Sequence, residues 1–325
     1  MIYAAFLGLA TSLELLGDGE GAIAACREAI ACTPDRSAAF GVMALAQMRC
    51  GAINEAAASA AQAVRLGDGG AAMQCLSATI ELRRGRVPAS LAAIAAALTE
   101  QPGCTRARAL RRLAEWCRDG DVEQLGWSNL IQVTRPAPPP GFASIHAFNA
   151  ALATAIRGEC AASLARHGGP LVNGDRLPDT DLLAPHMAAA VRALFAAEAA
   201  RYTARKPDNG RDGLDCGVAA LRNMRVWANI MGPGAYERPH IHEDGELSCV
   251  YYPELPDKRS VGGELVFGPH DLGPAVPASP SYLIAPALGQ MIIFPSYLYH
   301  STLPFSGQGQ RISVAADIVG SKRAA

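Results

Sequence analysis

Three histidines and one arginine in the last third of the chain have the types and spacing of a site for a metal ion and an acid. His240 and His242 are two positions apart, so if Tyr236 to His242 is a strand both rings look toward one face. His300 lies just past the apolar run 289–296, bounded by Gly289 and Pro295, which reads as a buried strand and a turn. A third imidazole thus returns from a distant strand. Arg311 and Ser313 share one face of the predicted strand Arg311 to Ile318. A guanidinium fork beside a hydroxyl suits a carboxylate, which it holds by two parallel hydrogen bonds. Imidazoles gathered on one side of an ion leave its other positions open for exchangeable ligands.

In chain order the signals are Gly234, His240-Ile241-His242, Tyr251-Tyr252, Gly262-Gly263-Glu264-Leu265, His300 and Arg311-Ile312-Ser313. This series resembles the 2-oxoglutarate- and Fe(II)-dependent oxygenases of the double-stranded β-helix fold. The likeness is to the prolyl-hydroxylase-like branch and to a bacterial group fused to tetratricopeptide repeats. The resemblance implies Fe(II) on the histidines, 2-oxoglutarate as cosubstrate with its distal carboxylate on Arg311 and Ser313, and hydroxylation of an unactivated C–H bond. It also implies that Asn229 reaches the cosubstrate. Tyr251 and Tyr252 alternate faces, so one packs in the core while the other reaches the cosubstrate, with Tyr251 taken as the assignment. One departure stands out: the family's carboxylate position is His242 here. Three ligand sets stay open: His240, His242 and His300; His240 and His300 with water; or a shifted triad of His242, Asp244 and His300. The six positions from Gly234 to His240 match the family's approach and favour His240 as first ligand, so the three-histidine set is the working assignment.

The other half of the chain carries an internal repeat. Gly17, Gly51 and Gly85 stand 34 apart, as do Ala10, Ala44 and Ala78, and Ala29, Ala63 and Ala97. Ala22, Ala56 and Ser90 recur at the same interval, and Pro34, Asp68 and Pro102 mark one turn in each unit. A period of 34 with small residues where helices touch is the tetratricopeptide pattern. Small side chains let paired helices approach, the glycine makes the turn, and proline or aspartate stops the second helix. A further helix is predicted over Thr105 to Arg118, with arginines at 106, 108, 111, 112 and 118 read as a solvated face. The first repeat opens almost at Met1 without a cap. Either another chain covers that end, with homo-oligomerisation through it, or the coding start lies further upstream.

The stretch Arg135 to Gly141, with four prolines, cannot continue a helix and reads as a stiff connector. Beyond it, Ser144 to Arg157 and Pro185 to Tyr202 have helical spacing, while 168–170 and 173–175 read as turns. From Gly217 the texture is all-β, with strands expected at 225–231, 236–242, 247–252, 263–268, 290–294 and 311–318 in two facing sheets. The division is therefore 1–125, a tetratricopeptide α-solenoid, and 126–325, a double-stranded β-helix (jelly roll) with buttressing helices.

With 325 residues, 50% hydrophobic and 18% charged, the chain has ordinary globular composition. A net charge of −1 supplies no field to recruit nucleic acid or an anionic membrane. Nine cysteines without a Cys-x-x-Cys pair argue against a disulfide framework and a zinc ribbon, which fits a reducing cytoplasm. His146, His167, His186 and His270 have no partner in sequence and are read as bystanders. The expected activity is hydroxylation of a peptide or protein side chain held by the repeat. Two alternatives differ in class: a catalytically impaired β domain in an interaction scaffold, and a three-histidine dioxygenase that does not use 2-oxoglutarate.

Overall fold

Three glycines 34 residues apart end three helices in the same way. In the computed structural model, which describes residues 1–162, 169–205, 223–256 and 260–319, Gly17, Gly51 and Gly85 have φ of 84°, 80° and 71°. That left-handed backbone costs glycine nothing and reverses the chain at the end of a helix. The pairs so formed are α1 (Ile2–Leu16) with α2 (Gly19–Cys32), α3 (Ser37–Arg49) with α4 (Ile53–Leu66), and α5 (Gly70–Arg83) with α6 (Val87–Glu100). The recurring small residues are the contact: Ala10, Ala44 and Ala78 are fully buried, as are Ala22, Ala56 and Ser90, and Ala29, Ala63 and Ala97. Ser90 adds a hydrogen bond from its hydroxyl to the Ala78 carbonyl, 2.9 Å. Asp68, which stands where the other units have proline, accepts the Ser37 N–H at 2.9 Å. A seventh helix, α7 (Thr105–Asp119), stops at Gly120 in the left-handed conformation.

The chain divides into two compact units, Met1–Asp121 with Leu272–Pro277, and Val122–Asp271 with Ala278–Ala325. The second contains α8 (Trp127–Leu130), β1 (Gln132–Thr134), α9 (Ile145–Ala162), β2 (Leu171–Leu177), α10 (Pro185–Ala204), β3 (Met224–His240) and β4 (Leu247–Glu254). There follow β5 (Val261–Gly262), β6 (Leu265–Phe267), β7 (Tyr282–Ile284), β8 (Met291–Pro295), β9 (His300–Thr302), β10 (Phe305–Ser306) and β11 (Arg311–Ile318). Nine strands form one antiparallel sheet in the order β1-β8-β4-β11-β3-β9-β6-β7, with β2 also paired to β3; β5 and β10 make a separate ribbon. The architecture is a helical repeat followed by a jelly roll with buttressing helices. Phe148, Leu152 and Ile156 of α9, and Met187, Val191, Leu194 and Phe195 of α10, join Cys249, Tyr251, Ile293 and Val314 of the sheet in one core.

Several expectations need correction. The segments 225–231 and 236–242 are one strand, β3, as far as His240: pairing with β2 resumes at Tyr236 after Met231, and Gly234 at φ 78° absorbs the irregularity between them. The turn expected at 173–175 lies inside β2, where the register against β3 shifts between Val172 and Gly174 and Asn173 takes φ 57°. Pairing runs through one sheet and a ribbon rather than two separate sheets. His167 lies outside the described residues.

Close approach of the repeat helices is testable by volume. Ala44 packs with Ala56, Ala60 and Ile80, so Ala44→Leu should destabilise the chain by about 1–3 kcal/mol in urea denaturation. Ala4→Leu, at an exposed position of α1, should stay within about 0.5 kcal/mol.

Candidate metal centre

His240 closes β3 and His300 opens β9, and the two strands pair so that these residues stand directly opposite each other. His242 sits just past the end of β3, anchored by its N–H to the Ser296 carbonyl at 3.1 Å. The chain's turn there still returns its ring to the same side: ring centroids are 4.3 Å apart for His240 and His300, 4.9 Å for His242 and His300, and 5.1 Å for His240 and His242. One ligating nitrogen from each lies within 4.8 Å of the others.

The outward nitrogens fix which face each ring offers. His240 Nδ1 is 2.7 Å from the Arg238 carbonyl and His300 Nδ1 is 2.9 Å from the Leu298 carbonyl. His242 Nδ1 is 2.5 Å from Asp317 Oδ1. Each acceptor draws a proton to Nδ1 and leaves Nε2 as the lone-pair donor, the way metal-bound histidines are oriented. His240 Nε2 and His242 Nε2 are 3.1 Å apart. Two nitrogens about 2.1 Å from one ion at right angles would be about 3.0 Å apart. Burial, with neighbouring imidazoles adding to it, holds the pKa of His300 well below the ordinary histidine value, and burial also lowers that of His240. At His242 burial pulls downward too, but the charge and hydrogen bond of Asp317 outweigh it and the net shift is upward.

Asp244, the alternative ligand, is not in this cluster. Its carboxylate points to solvent and meets Arg225 at 3.1 Å, because Gly245 ends the turn and carries the chain on into β4.

A cavity opens from the three rings, lined by Trp227, Asn229, Tyr252, Leu265, Arg311 and Ser313 among others. Arg311 is 2% exposed. Its Nη1 donates to the Gly263 carbonyl at 2.7 Å and its Nη2 lies 2.5 Å from Met231 Sδ, while Nε has no acceptor and no carboxylate pairs with it among the described residues. A buried guanidinium without an anion is costly, so the cavity asks for one.

Asn229 reaches the cavity, but its amide is engaged on both sides, accepting from Arg176 Nε at 2.8 Å and donating to Glu237 at 3.1 Å. Tyr251 is placed differently from the expectation. It is fully buried in the core with its hydroxyl on Asn149, and Tyr252 lines the cavity instead. Ser248, Val250 and Tyr252 share the cavity face of β4, and its odd positions face the helices. Burial lifts the Tyr252 hydroxyl to about 12 against the opposing pull of Arg311, so it stays a neutral donor. Sequence reasoning missed Asp317, Glu237 and Arg176. Asp317 had a signal, since it continues the alternate series Arg311, Ser313, Ala315 along β11.

Residues 225–317, from β3 through β11, match the family model described as "Putative 2OG-Fe(II) oxygenase". The chain thus joins a helical repeat to an oxygenase domain of the type that uses Fe(II) and 2-oxoglutarate. No curated protein matches the chain. Among solved structures it is similar to a Pseudomonas putida prolyl-4-hydroxylase, with 18% identity over 60% of this chain and 95% of that one and a TM-score of 0.40. A Trichoplax adhaerens prolyl hydroxylase, in complex with a hypoxia inducible factor oxygen degradation domain peptide fragment, gives 14% identity over 62% and 88% and a TM-score of 0.40. YrrB, a TPR protein with an unusual peptide-binding site, gives 16% over 37% and 62% and a TM-score of 0.33. At such values these likenesses carry no argument about what this chain acts on.

The residues present fit an iron(II) ion, offering three nitrogen donors on one side with a buried cation awaiting an anion beyond. Titration of the full chain with Fe(II) under anaerobic conditions should show one site. His300→Ala should weaken it by about 100-fold or more, above the 10- to 100-fold typical of residues behind the ligands, and Asp244→Ala should leave it within about twofold.

Proposed function

We propose that this chain is an Fe(II)- and 2-oxoglutarate-dependent dioxygenase that hydroxylates a peptide or protein side chain. In this reading 126–325 is the catalytic part, and the repeat of 1–125 holds the substrate. His240, His242 and His300 are the ligands, and Arg311 with Ser313 takes the distal carboxylate of 2-oxoglutarate.

The observation that carries the reading is the unpaired Arg311 in the same cavity as the three imidazoles. Charge supports it further. Glu237 is paired with Arg176 at 3.3 Å. With those two cancelling, a dication on neutral imidazoles, the Arg311 cation and the Asp317 anion leave an excess of two positive charges, which a dianion such as 2-oxoglutarate neutralises. A dioxygenase without that cosubstrate would have no use for Arg311 and Ser313 on one strand face.

Iron(II), when bound, would let dioxygen, the oxidant, react with 2-oxoglutarate, which would leave as succinate and carbon dioxide, one oxygen atom going into succinate and the other into a substrate C–H bond. The chain's own part is positional. Backbone carbonyls and Asp317 keep Nε2 of each ring turned inward. The Tyr252 hydroxyl stays protonated as a donor at the cavity wall. Trp227, Leu265 and Phe294 line the wall with apolar surface that keeps stray water away. Substrate holding is assigned to the repeat because stacked helix pairs present extended binding surfaces suited to peptides.

Turnover should require both Fe(II) and 2-oxoglutarate, release succinate, and add one oxygen atom to a peptide in mass spectrometry. Exclusively small-molecule products would contradict the peptide assignment. Arg311→Ala should raise the KM for 2-oxoglutarate by about 10- to 100-fold, the worth of a hydrogen-bonded charge pair. Unchanged activity in that variant would favour the dioxygenase that does without 2-oxoglutarate. Metal binding without any succinate release would favour the interaction scaffold.

A further inference from the structure

Only one of the three rings is backed by a charge. His240 and His300 lean on backbone carbonyls, whereas His242 Nδ1 lies 2.5 Å from the carboxylate of Asp317. Asp317 is 4% exposed, and among the described residues no lysine or arginine pairs with it. Its partners are His242 and the Ser248 hydroxyl, which donates to the same oxygen at 2.8 Å. Since the single Ser248 proton is spent there, the 2.8 Å contact between Ser248 and Ser296 has Ser296 as donor. The result is a chain of fixed polarity, from Ser296 to Ser248 to Asp317, with His242 donating into it.

The backbone is shaped around this chain. Asp317 stands opposite Ser248 in the pairing of β11 with β4. A Cβ on Gly245 would fall 2.5 Å from Ser296 Oγ and 3.3 Å from Asp317 Cγ, so the turn after His242 closes on the network only because that position has no side chain. A buried carboxylate is costly unless a positive partner answers it. Arg225, opposite Asp317 on β3, is turned to Asp244, so among the described residues the group that pairs with Asp317 and can answer its charge is the ring of His242 together with whatever that ring binds.

The geometry points to Asp317 as the positioning residue of the third metal ligand, an inference that rests on the metal-centre reading above. It holds His242 with the proton on Nδ1 and the lone pair of Nε2 on the ion. It also returns, one residue behind the ion, the negative charge that a set of three neutral imidazoles lacks. On β11, alternate positions then serve two ends of one cavity: Arg311 and Ser313 the acid, Asp317 the metal.

The test uses the full chain and Co(II) as a spectroscopic stand-in for the native ion. Wild type should bind one Co(II) with visible d–d absorption. Asp317→Asn, which keeps shape and removes charge, should bind it about 10- to 100-fold more weakly with an altered spectrum, and Ser248→Ala should shift both in the same direction by less. Equal affinity and an identical spectrum in Asp317→Asn would overturn the inference while leaving the metal centre standing. Should Asp317→Asn fail to fold, the Zn(II)-loaded wild type decides by NMR of the histidine rings. The Nδ1 proton of His242, given to a carboxylate, should resonate downfield of those of His240 and His300; if it does not, the inference is wrong. A wild type that binds neither Co(II) nor Zn(II) would remove the metal-centre reading and this inference with it.

Discussion

The site depends on one pairing, β3 against β9, which sets His240 across from His300. Neighbouring strands are about 4.8 Å apart, so two rings in opposed positions on one face meet without any special loop. His242 cannot use the same ladder, because it lies beyond the last paired residue of β3. Its place is set instead by a backbone hydrogen bond to Ser296 and by Asp317. Two of the three rings are thus held by the β3–β9 pairing, and the third by a polar network assembled from the neighbouring central strands β4 and β11 and the turn after β8.

Around this point the electrostatics are arranged in opposition. Burial strips water from the imidazoles, which keeps His240 and His300 neutral and their lone pairs available. The same burial makes Arg311 and Asp317 expensive as isolated charges. Arg311 is answered by a carbonyl and a thioether, neither of them an anion, and Asp317 by an imidazole and a hydroxyl. Each is left half-compensated toward the cavity, and a metal ion with an acidic ligand completes both at once.

Much of the architecture was legible because it is periodic. The interval of 34 identified the helical repeat, and the small residues it picked out are the fully buried ones. The order of histidines and Arg-x-Ser pointed to one cavity, and the structure brings them there. What could not be read has physical reasons. Gly232-Pro233-Gly234 looks like a break but is an irregularity within a strand, and short strands such as β7 and β9 are too brief to show alternation. The two tyrosines of β4 could not be told apart because both faces of that strand are buried, so no polar alternation marks which side is the cavity. Asp317 was passed over because a carboxylate near the end of an apolar strand carries no sign of its partner, 75 positions away at His242.

The claim beneath all of this is that three imidazoles share one iron. X-ray absorption of the Fe(II)-loaded full chain measures it most directly, since imidazole rings give outer-shell scattering whose strength counts them. Three histidine ligands per iron are predicted, with the remainder of the inner shell oxygen. Two or fewer would contradict the account, because His242 with its buried carboxylate would then stand outside the metal's coordination.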